Sequence, residues 1–304
     1  MNPTAQRASE ETERSRAAAG ILLIDKPPHI TSHDAVMTVR RRLRVRRVGH
    51  AGTLDPMGTG LLVMGVGPGT RFLRYLETEP KEYKGEITFG VSTNTQDADG
   101  EVLSRRDASE LTLSAIREAA ERFVGEIEQM PPMFSAVKIG GERLYRRARR
   151  GEEVERPTKK VTVERFTAGQ YDPPVLSFTL TCSGGTYVRT LANDLGEALG
   201  TGAHLSALTR TAIGRFQLKD ACCPDDADVN RIISLGHALE PMPMARLTRT
   251  QARAADNGRP VAVPLYPNRT EIGLLDSEGR FFAIARQEGG VWQPECVMHL
   301  SPEG

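Results

Sequence analysis

From Leu176 to Cys182 the chain alternates strictly, with Leu176, Phe178, Leu180 and Cys182 on one side and Ser177, Thr179 and Thr181 on the other. A period of two with one apolar face is the pattern of a half-buried β-strand. Ser183-Gly-Gly185 ends it, and the spacing that follows predicts a helix from about Tyr187 to Leu199. The stretch from Tyr83 repeats the pattern, with Tyr83, Gly85, Ile87, Phe89 and Val91 on one face and Lys84, Glu86, Thr88 and Gly90 on the other. Helical patterns near residues 112–122 and 229–237 alternate with strand patterns near 124–129 and 158–168. Two or three strands between helices point to an α+β fold with a sheet flanked by helices, not to a βαβ series.

The first ordered segment is predicted to be a short buried strand, Gly20-Ile-Leu-Leu-Ile24, ended by Pro27 and Pro28. Thr31 and Asp34 then have the spacing of a capping box, and Ala35, Val36, Val39 and Leu43 recur at helical intervals. That helix delivers a basic run to the loop Gly49–Gly60, whose four Gly and one Pro in twelve residues favour neither helix nor strand. Leu61–Val66 reads as a second buried strand. Past Pro241 the texture changes to short strands at 261–263, 271–275, 280–286 and 294–298, with a hairpin turn at Asp276–Gly279.

At 304 residues the chain has room for about two domains. The expected division is a tail at 1–19 with too little apolar content to fold, a larger domain at 20–240, and a small β-rich domain at 245–304. No apolar run approaches the roughly 18 residues of a bilayer span. The first 20 residues lack the apolar core of a secretory signal, so a cytoplasmic location is expected. Four cysteines without a CxxC pair suit reduced thiols, not a disulfide or zinc framework. Lys and Arg total 40 against 39 Asp and Glu, so net charge names no partner. Its distribution says more: 33 of the basic residues are Arg, the better fork for phosphate, and they cluster at 40–47 and 143–150. Such runs are either solvated helix faces or the footprint of an anionic ligand.

The loop carrying His50 and Asp55 is the densest chemical clue. A carboxylate in a Gly-rich turn beside Pro56 can be held rigidly with little crowding, as a nucleophile acting on a bulky substrate requires. The same residues also make an ordinary Asx-turn. A phosphate cradle at Gly65-Val-Gly-Pro-Gly69 has neither GxGxxG spacing nor a P-loop lysine.

GHAGTLDPMGTGLLVMGVG, at residues 49–67, closely resembles the catalytic motif of the TruB family of tRNA pseudouridine synthases. GILLIDKPPHITSHDAV, KEYKGEITFGVSTNTQDADG, PPMFSAVKIGGERLYRRARRG and CSGGTYVRTLANDLGEALGTGAHLSALTRTAIGRF resemble the same family in order, so the resemblance spans most of residues 20–216. It implies a pseudouridine synthase fold with a central mixed or antiparallel sheet, followed by a small PUA-like domain. It further implies isomerisation of uridine 55 in the TΨC loop of tRNA, without metal or redox cofactor, by a monomer that needs no protein partner and can also assist tRNA folding.

Carried over residue by residue, Asp55 matches the essential aspartate, which would attack C1′, attack C6, or assist glycal formation. Tyr83 matches the tyrosine that stacks on the uracil, and Arg189 the arginine that pairs with the aspartate. Asp97 matches a supporting carboxylate, and His50 a residue that helps extrude the target base. Tyr187 and Leu208 match the uracil pocket, and Arg143, Arg146 and Arg147 would contact T-arm phosphates, as would the first Arg run. Ala51 stands where other members often have Thr. Read without the resemblance, Tyr83 and Leu208 are core residues and Asp97 is a turn residue. Arg189 at a helix start opposes the helix dipole and calls for a partner. The rivals are a non-catalytic RNA-binding protein of the same fold, a guide-RNA-dependent relative, and a nucleotide-binding protein built on the glycines at 65–69.

Overall fold

The computed structural model describes residues 19–299, apart from Ala136, Tyr145, Arg146, Ala148, Arg149, Glu153, Leu265 and Pro267. The tail expected to be unfolded therefore lies, save for its last residue, outside the described residues. The apolar runs at 20–26 and 59–66 become β1 (Gly20–Lys26) and β3 (Thr59–Val66), which pair antiparallel with Ile24 opposite Leu62. Neither strand alternates because both faces of the pair are covered. Leu22, Ile24, Leu62 and Met64 pack under helix α1 (Ser32–Leu43), while Ile21, Leu23, Leu61 and Val63 pack against Phe72, Phe216, Phe281 and Ile284. The capping box forms at Thr31 and Asp34, and the helix buries Ala35, Val36, Val39 and Leu43 as its spacing predicts.

The loop expected at 49–60 is shorter than its composition suggests. Gly49–Ala51 belongs to β2 (Val48–Ala51), which pairs with Val63–Val66 of β3, so only residues 52–58 connect the two strands. Some of the glycines serve backbone conformation and others close approach: Gly52 and Gly60 take φ +81° and +95°, while Gly65 packs against the backbone of Gly69 and Thr70, and Gly69 against that of Gly20. No room is left there for a phosphate cradle.

The chain continues through β4 (Lys81–Phe89), a hairpin of β5 (Val91–Thr93) and β6 (Val102–Arg105), helix α2 (Leu113–Glu121), β7 (Gly125–Gln129) and a hairpin of β8 (Lys138–Ile139) and β9 (Glu142–Arg143). Then come β10 (Lys159–Asp172), β11 (Val175–Cys182), helix α3 (Val188–Ala198), β12 (Ala203–Ile213) and β13 (Phe216–Gln217). The main sheet has nine strands in the order β1-β3-β12-β4-β11-β10-β7, with β2 added to β3 and β13 to β12. Only the β3–β12 pair is parallel, so the sheet is mixed. Tyr83, Ile87, Phe89, Leu176, Phe178 and Leu180 form one core with Ile116 of α2 and Leu191 and Leu195 of α3.

The alternating strands and α3 fall where their periods place them. β4 stops at Phe89, since Gly90 takes φ +84° and turns Val91 into a separate strand. The helical pattern at 229–237 resolves into a 3-10 turn at Val229–Arg231 and a short helix α4 (Leu235–Ala238). Central β12 changes phase at the register shift between Leu205 and Ala207: Ala203 and Leu205 are buried before it, and Leu208, Arg210 and Ala212 after it, so a cation stands on the buried face.

Beyond Glu240-Pro241, β14 (Met244–Arg246), β15 (Glu271–Leu275), β16 (Phe281–Glu288) and β17 (Val291–Val297) form a four-stranded sheet. It also carries a helix the β texture did not announce, α5 (Arg249–Asp256), whose Ala252 and Ala255 pack near Trp292. The strand expected at 261–263 is reduced to a single bridge from Val261 to Trp292. Phe281, Ile284 and Cys296 of this sheet enter the core under β1 and β3. No helix among the described residues is long and apolar enough to cross a membrane.

Candidate active site

One edge of β3 pairs with β1 along its length. The other edge is shared: β12 pairs only at Thr59 and Gly60, and β2 takes over from Val63. Loop 52–58, with Asp55, leaves from the gap between them. Arg210 of β12 fills that gap. Its guanidinium donates to the carbonyls of Leu61 at 2.8 Å, Gly52 at 2.9 Å and Thr53 at 3.4 Å, and its charge lies beside the Tyr83 phenol. Arg210 is 1% exposed, and among the described residues no carboxylate stands at ion-pair distance from it.

The opposite flank of the loop is held by β1 and α1. The fully buried Lys26 ammonium donates to the carbonyls of Ile30 at 2.8 Å, Pro27 at 2.9 Å and Pro56 at 3.2 Å. Burial drives it down to about 8, with the Asp55 charge pulling the other way. The Ser32 hydroxyl accepts from Leu54 N at 2.9 Å and donates to Leu54 O at 3.0 Å, and His29 N donates to Pro56 O at 2.9 Å. Asp55 is thus fixed through backbone contacts that leave its carboxylate for other work.

That carboxylate meets Arg189, in the first turn of α3. Arg189 Nε lies 2.9 Å from Asp55 Oδ2 and Nη2 3.3 Å from Oδ1, a bidentate pair. The remaining donors go to Asp97 Oδ2 at 3.2 Å, Thr95 O at 3.0 Å and Phe134 O at 3.1 Å. The expected conflict with the helix dipole is real, since the N-cap Tyr187 offers no side-chain cap. Two carboxylates outweigh it, and the buried Gln129 amide serves the helix start by accepting from Tyr187 N at 2.9 Å. The carboxylates are unequal: the Asp55 side chain is 38% exposed and that of Asp97 6%. Asp97 is a strut, and Asp55 is the group a substrate can touch. Burial of its surroundings lifts the Asp55 carboxyl above the ordinary aspartate value, while Arg189 pulls it back and Asp97 adds a smaller upward push.

Tyr83 and Leu208 lie in one cluster with Leu54, Met57 and Val188, so they wall the ground around Asp55 while being core residues as well. Burial raises the Tyr83 phenol, and Arg210 opposes the rise. Tyr187 is half-buried, with its phenol likewise pushed up by burial. His50 sits on β2, its Nδ1 buried without a hydrogen-bond partner. Burial and then the Arg210 charge lower its pKa, so the ring is an uncharged, apolar-leaning wedge. The second Arg run is not brought to this site as free charge. Arg147 lies 3.4 Å from Glu142, Arg150 pairs with both Glu142 and Glu152, Arg146 lies outside the described residues, and only the backbone of Arg143 is described.

Residues 40–188 match the family model described as TruB family pseudouridylate synthase (N terminal domain), and residues 189–242 match tRNA pseudouridylate synthase B C-terminal domain. The tRNA pseudouridine synthase B of Thermobifida fusca is 42% identical over 92% of this chain and 98% of its own length. That of Mycobacterium bovis is 43% identical over 93% and 97%, and that of Opitutus terrae 50% identical over 68% and 86%. The chain belongs to the TruB family of pseudouridylate synthases. It is therefore an isomerase of the pseudouridine synthase class. Among solved structures, a chain of a Cbf5-Nop10-Gar1 complex superposes with a TM-score of 0.70 at 23% identity, covering 94% of this chain and 87% of that one. A chain of an H/ACA RNP bound to a substrate RNA containing 2'-deoxyuridine gives 0.70 at 21% identity, covering 94% and 86%. These two likenesses concern the fold.

In this TruB-family chain the site contains four groups that the sequence reading did not single out: Lys26, Ser32, Gln129 and Arg210. Two carried a signal. Lys26 closes an apolar run and Arg210 sits between Leu208 and Ile213, both places where a cation is out of phase with its neighbours. A buried charge at such a position needs a dedicated set of acceptors.

Proposed function

We propose that this enzyme isomerises uridine 55 in the TΨC loop of tRNA to pseudouridine, with Asp55 as its catalytic carboxylate. The observation that carries the reading is the half-open Asp55 carboxylate held bidentately by a 5%-exposed Arg189, whose other donors are all taken. A carboxylate so oriented is available to the ribose or the base while its partner cannot swing away. In the reaction the N1–C1′ bond breaks, the uracil turns, a C5–C1′ bond forms, the C5 proton leaves and N1 gains one, so no atom is gained or lost overall. Attack at C1′, attack at C6 and assistance to glycal formation all use the same carboxylate.

Around it, Tyr83 stacks on the flipped uracil, its phenol beside the Arg210 charge. Leu208 and Tyr187 complete the pocket, and Asp97 holds Arg189 from behind. The neutral His50 ring takes the place the base vacates, because an uncharged ring stacks at low desolvation cost. Arg143, Arg146 and Arg147 contact phosphates of the T-arm. Residues 20–240 form the catalytic domain and 245–304 a PUA-like domain. The protein works as a cytoplasmic monomer without an obligatory protein partner, and its grip on the T-arm also assists tRNA folding.

The test is tritium release from unmodified tRNA labelled at uridine C5, with wild type and Asp55→Asn in parallel. Release by wild type alone, from one T-arm uridine, is expected. Turnover by Asp55→Asn would remove Asp55 from its role, and tight binding without release by wild type would favour a tRNA-folding protein.

A further inference from the structure

Helices α1, α2, α4 and α5 carry their own caps: Thr31, Thr112, Ser234 and Thr248 each accept a backbone N–H of the first turn through the side-chain oxygen. α3 does not. Its N-cap is Tyr187, whose phenol cannot fold back onto the first turn as a short hydroxyl does. A capping residue at this position would forfeit the ring that lines the pocket. The task passes to Gln129, 58 residues upstream, whose Oε1 accepts from Tyr187 N at 2.9 Å and whose Nε2 donates to Tyr187 O at 3.3 Å. Among the described residues no other side chain bonds to the Tyr187 backbone.

Gln129 ends β7, the outermost strand of the main sheet, on the same side as Ile127, which packs against the core. Alternation puts an apolar residue there. An amide that is 1% exposed is tolerable in its place only if both ends are bonded, and Tyr187 supplies both partners. The chain leaving Gln129 then closes on the same turn. Phe134 O accepts from Arg189 Nη2 at 3.1 Å, and Pro131 O, between the two contacts, accepts from Arg156 Nη1 at 2.9 Å. Residues 129–134 thus grip Tyr187 by its backbone and Arg189 by its guanidinium. Thr190, the next residue, donates its hydroxyl to Gln96 Oε1 at 2.9 Å.

We propose that Gln129 is a positioning residue for the isomerisation: by fixing the Tyr187 backbone it sets where the first turn of α3 begins, and with it the seat of Arg189 on Asp55 and of the Tyr187 ring in the pocket. The proposal rests on Asp55 being the catalytic carboxylate. Gln129 itself is buried and touches no substrate. Arg189 stands in the turn that Gln129 anchors, so a shifted helix start carries the guanidinium with it. A misplacement of about 1 Å at such a distance from the chemistry costs about a hundredfold in rate. An apolar side chain at 129 would suit the core better, so the amide is explained by the turn it holds.

The experiment is single-turnover tritium release by the full chain, across pH, at saturating tRNA labelled at uridine C5. Gln129→Met keeps the length of the side chain without either bond, and Gln129→Asn keeps the amide but draws it back out of reach. Both variants should retain the far-UV circular dichroism of wild type and bind tRNA within about threefold of it, yet react about 10–100-fold more slowly. Their acid limb should also move to higher pH. Burial lifts the Asp55 carboxyl, and the charges that face it are Arg189, Asp97 and Lys26; a loosened Arg189 opposes the lift less. A merely less stable helix would reduce the amount of active enzyme and leave the limb in place. A rate within about twofold of wild type overturns the proposal, as does a slower rate on an unmoved limb. Should neither variant fold, hydrogen exchange of wild type decides: the Tyr187 N–H should be protected like the amides of the core strands, and exchange as fast as in exposed loops overturns the proposal. Absence of tritium release by wild type would instead sink the reading of Asp55, whatever the variants do.

Discussion

Replacing Arg189 with Leu tests the site at its keystone. The substitution removes the guanidinium from Asp97, a carboxylate 6% exposed that retains only the Thr95 hydroxyl and the Asp99 N–H as donors. Breaking a buried pair from one side costs about 3–5 kcal/mol, because the surviving charge stays out of water. The Asp55 arm adds little, about 1 kcal/mol at most, since its 38% exposure lets solvent take over. The carbonyls of Thr95 and Phe134 lose a donor each, but both residues are half-exposed and water can replace it. The expected loss is therefore about 3–6 kcal/mol, a large share of a typical domain's stability. Urea unfolding followed by far-UV circular dichroism should show it as a lower midpoint at unchanged slope, with tritium release abolished. Asp55→Asn, which leaves the Arg189–Asp97 pair in place, should unfold within about 1 kcal/mol of wild type while being equally inactive. Should Arg189→Leu unfold within about 1 kcal/mol of wild type, the guanidinium would not be holding two carboxylates and the account of the site would fail.

Burial lifts the Asp55 carboxyl, so the active carboxylate form is lost at higher pH than for an ordinary aspartate; the single-turnover rate should fall on an acid limb lying above 3.8, and a limb at or below that value would contradict the environment described. Arg210→Met strands the carbonyls of Gly52, Thr53 and Leu61 and removes the charge beside the Tyr83 phenol; activity should drop at least about a hundredfold, with Arg210→Lys recovering fold more than rate, and equal recovery of both would show that charge alone matters. Gly60 has φ +95°, and a Cβ there would sit 2.4 Å from Arg210 O, so Gly60→Ala should cost about 2–5 kcal/mol by urea unfolding; an unmoved midpoint would mean the β3–β12 contact is looser than described. Lys26 is pushed from 10.5 to about 8, so the folded state binds its proton less tightly than the unfolded chain, and this group's cost, present below 8, is relieved as pH rises to 10.5. Wild type should gain up to about 3 kcal/mol relative to Lys26→Met across that window, and a constant difference would show the ammonium is not desolvated.

Local rules carried a large part of the fold. The Thr31–Asp34 box and the apolar spacing behind it mark α1 to the residue, and the alternation at 176–182 marks β11, because capping and one-sided burial act over a few neighbouring positions. The resemblance placed Asp55, Tyr83, Asp97 and Arg189 in one site from positions 134 residues apart, a link that no periodicity contains. What the sequence left open depends on distant partners. β12 is hard to read as a strand because the register shift after Leu205 changes its phase and a cation, Arg210, stands on its buried face, yet it brings Arg210 to both the Asp55 loop and Tyr83. The two Arg runs look alike as text, and only the fold places Glu142 and Glu152 beside Arg147 and Arg150 of the second. Sequence by itself determined the one-sided strands β4 and β11, the capped helix α1 and the chemistry the chain carries, since those follow from local pattern and residue type. The tertiary structure decided which charges are paired, which of two carboxylates is open, and what holds the catalytic loop, because desolvation and ion pairing are set by whatever long-range packing puts next to each group.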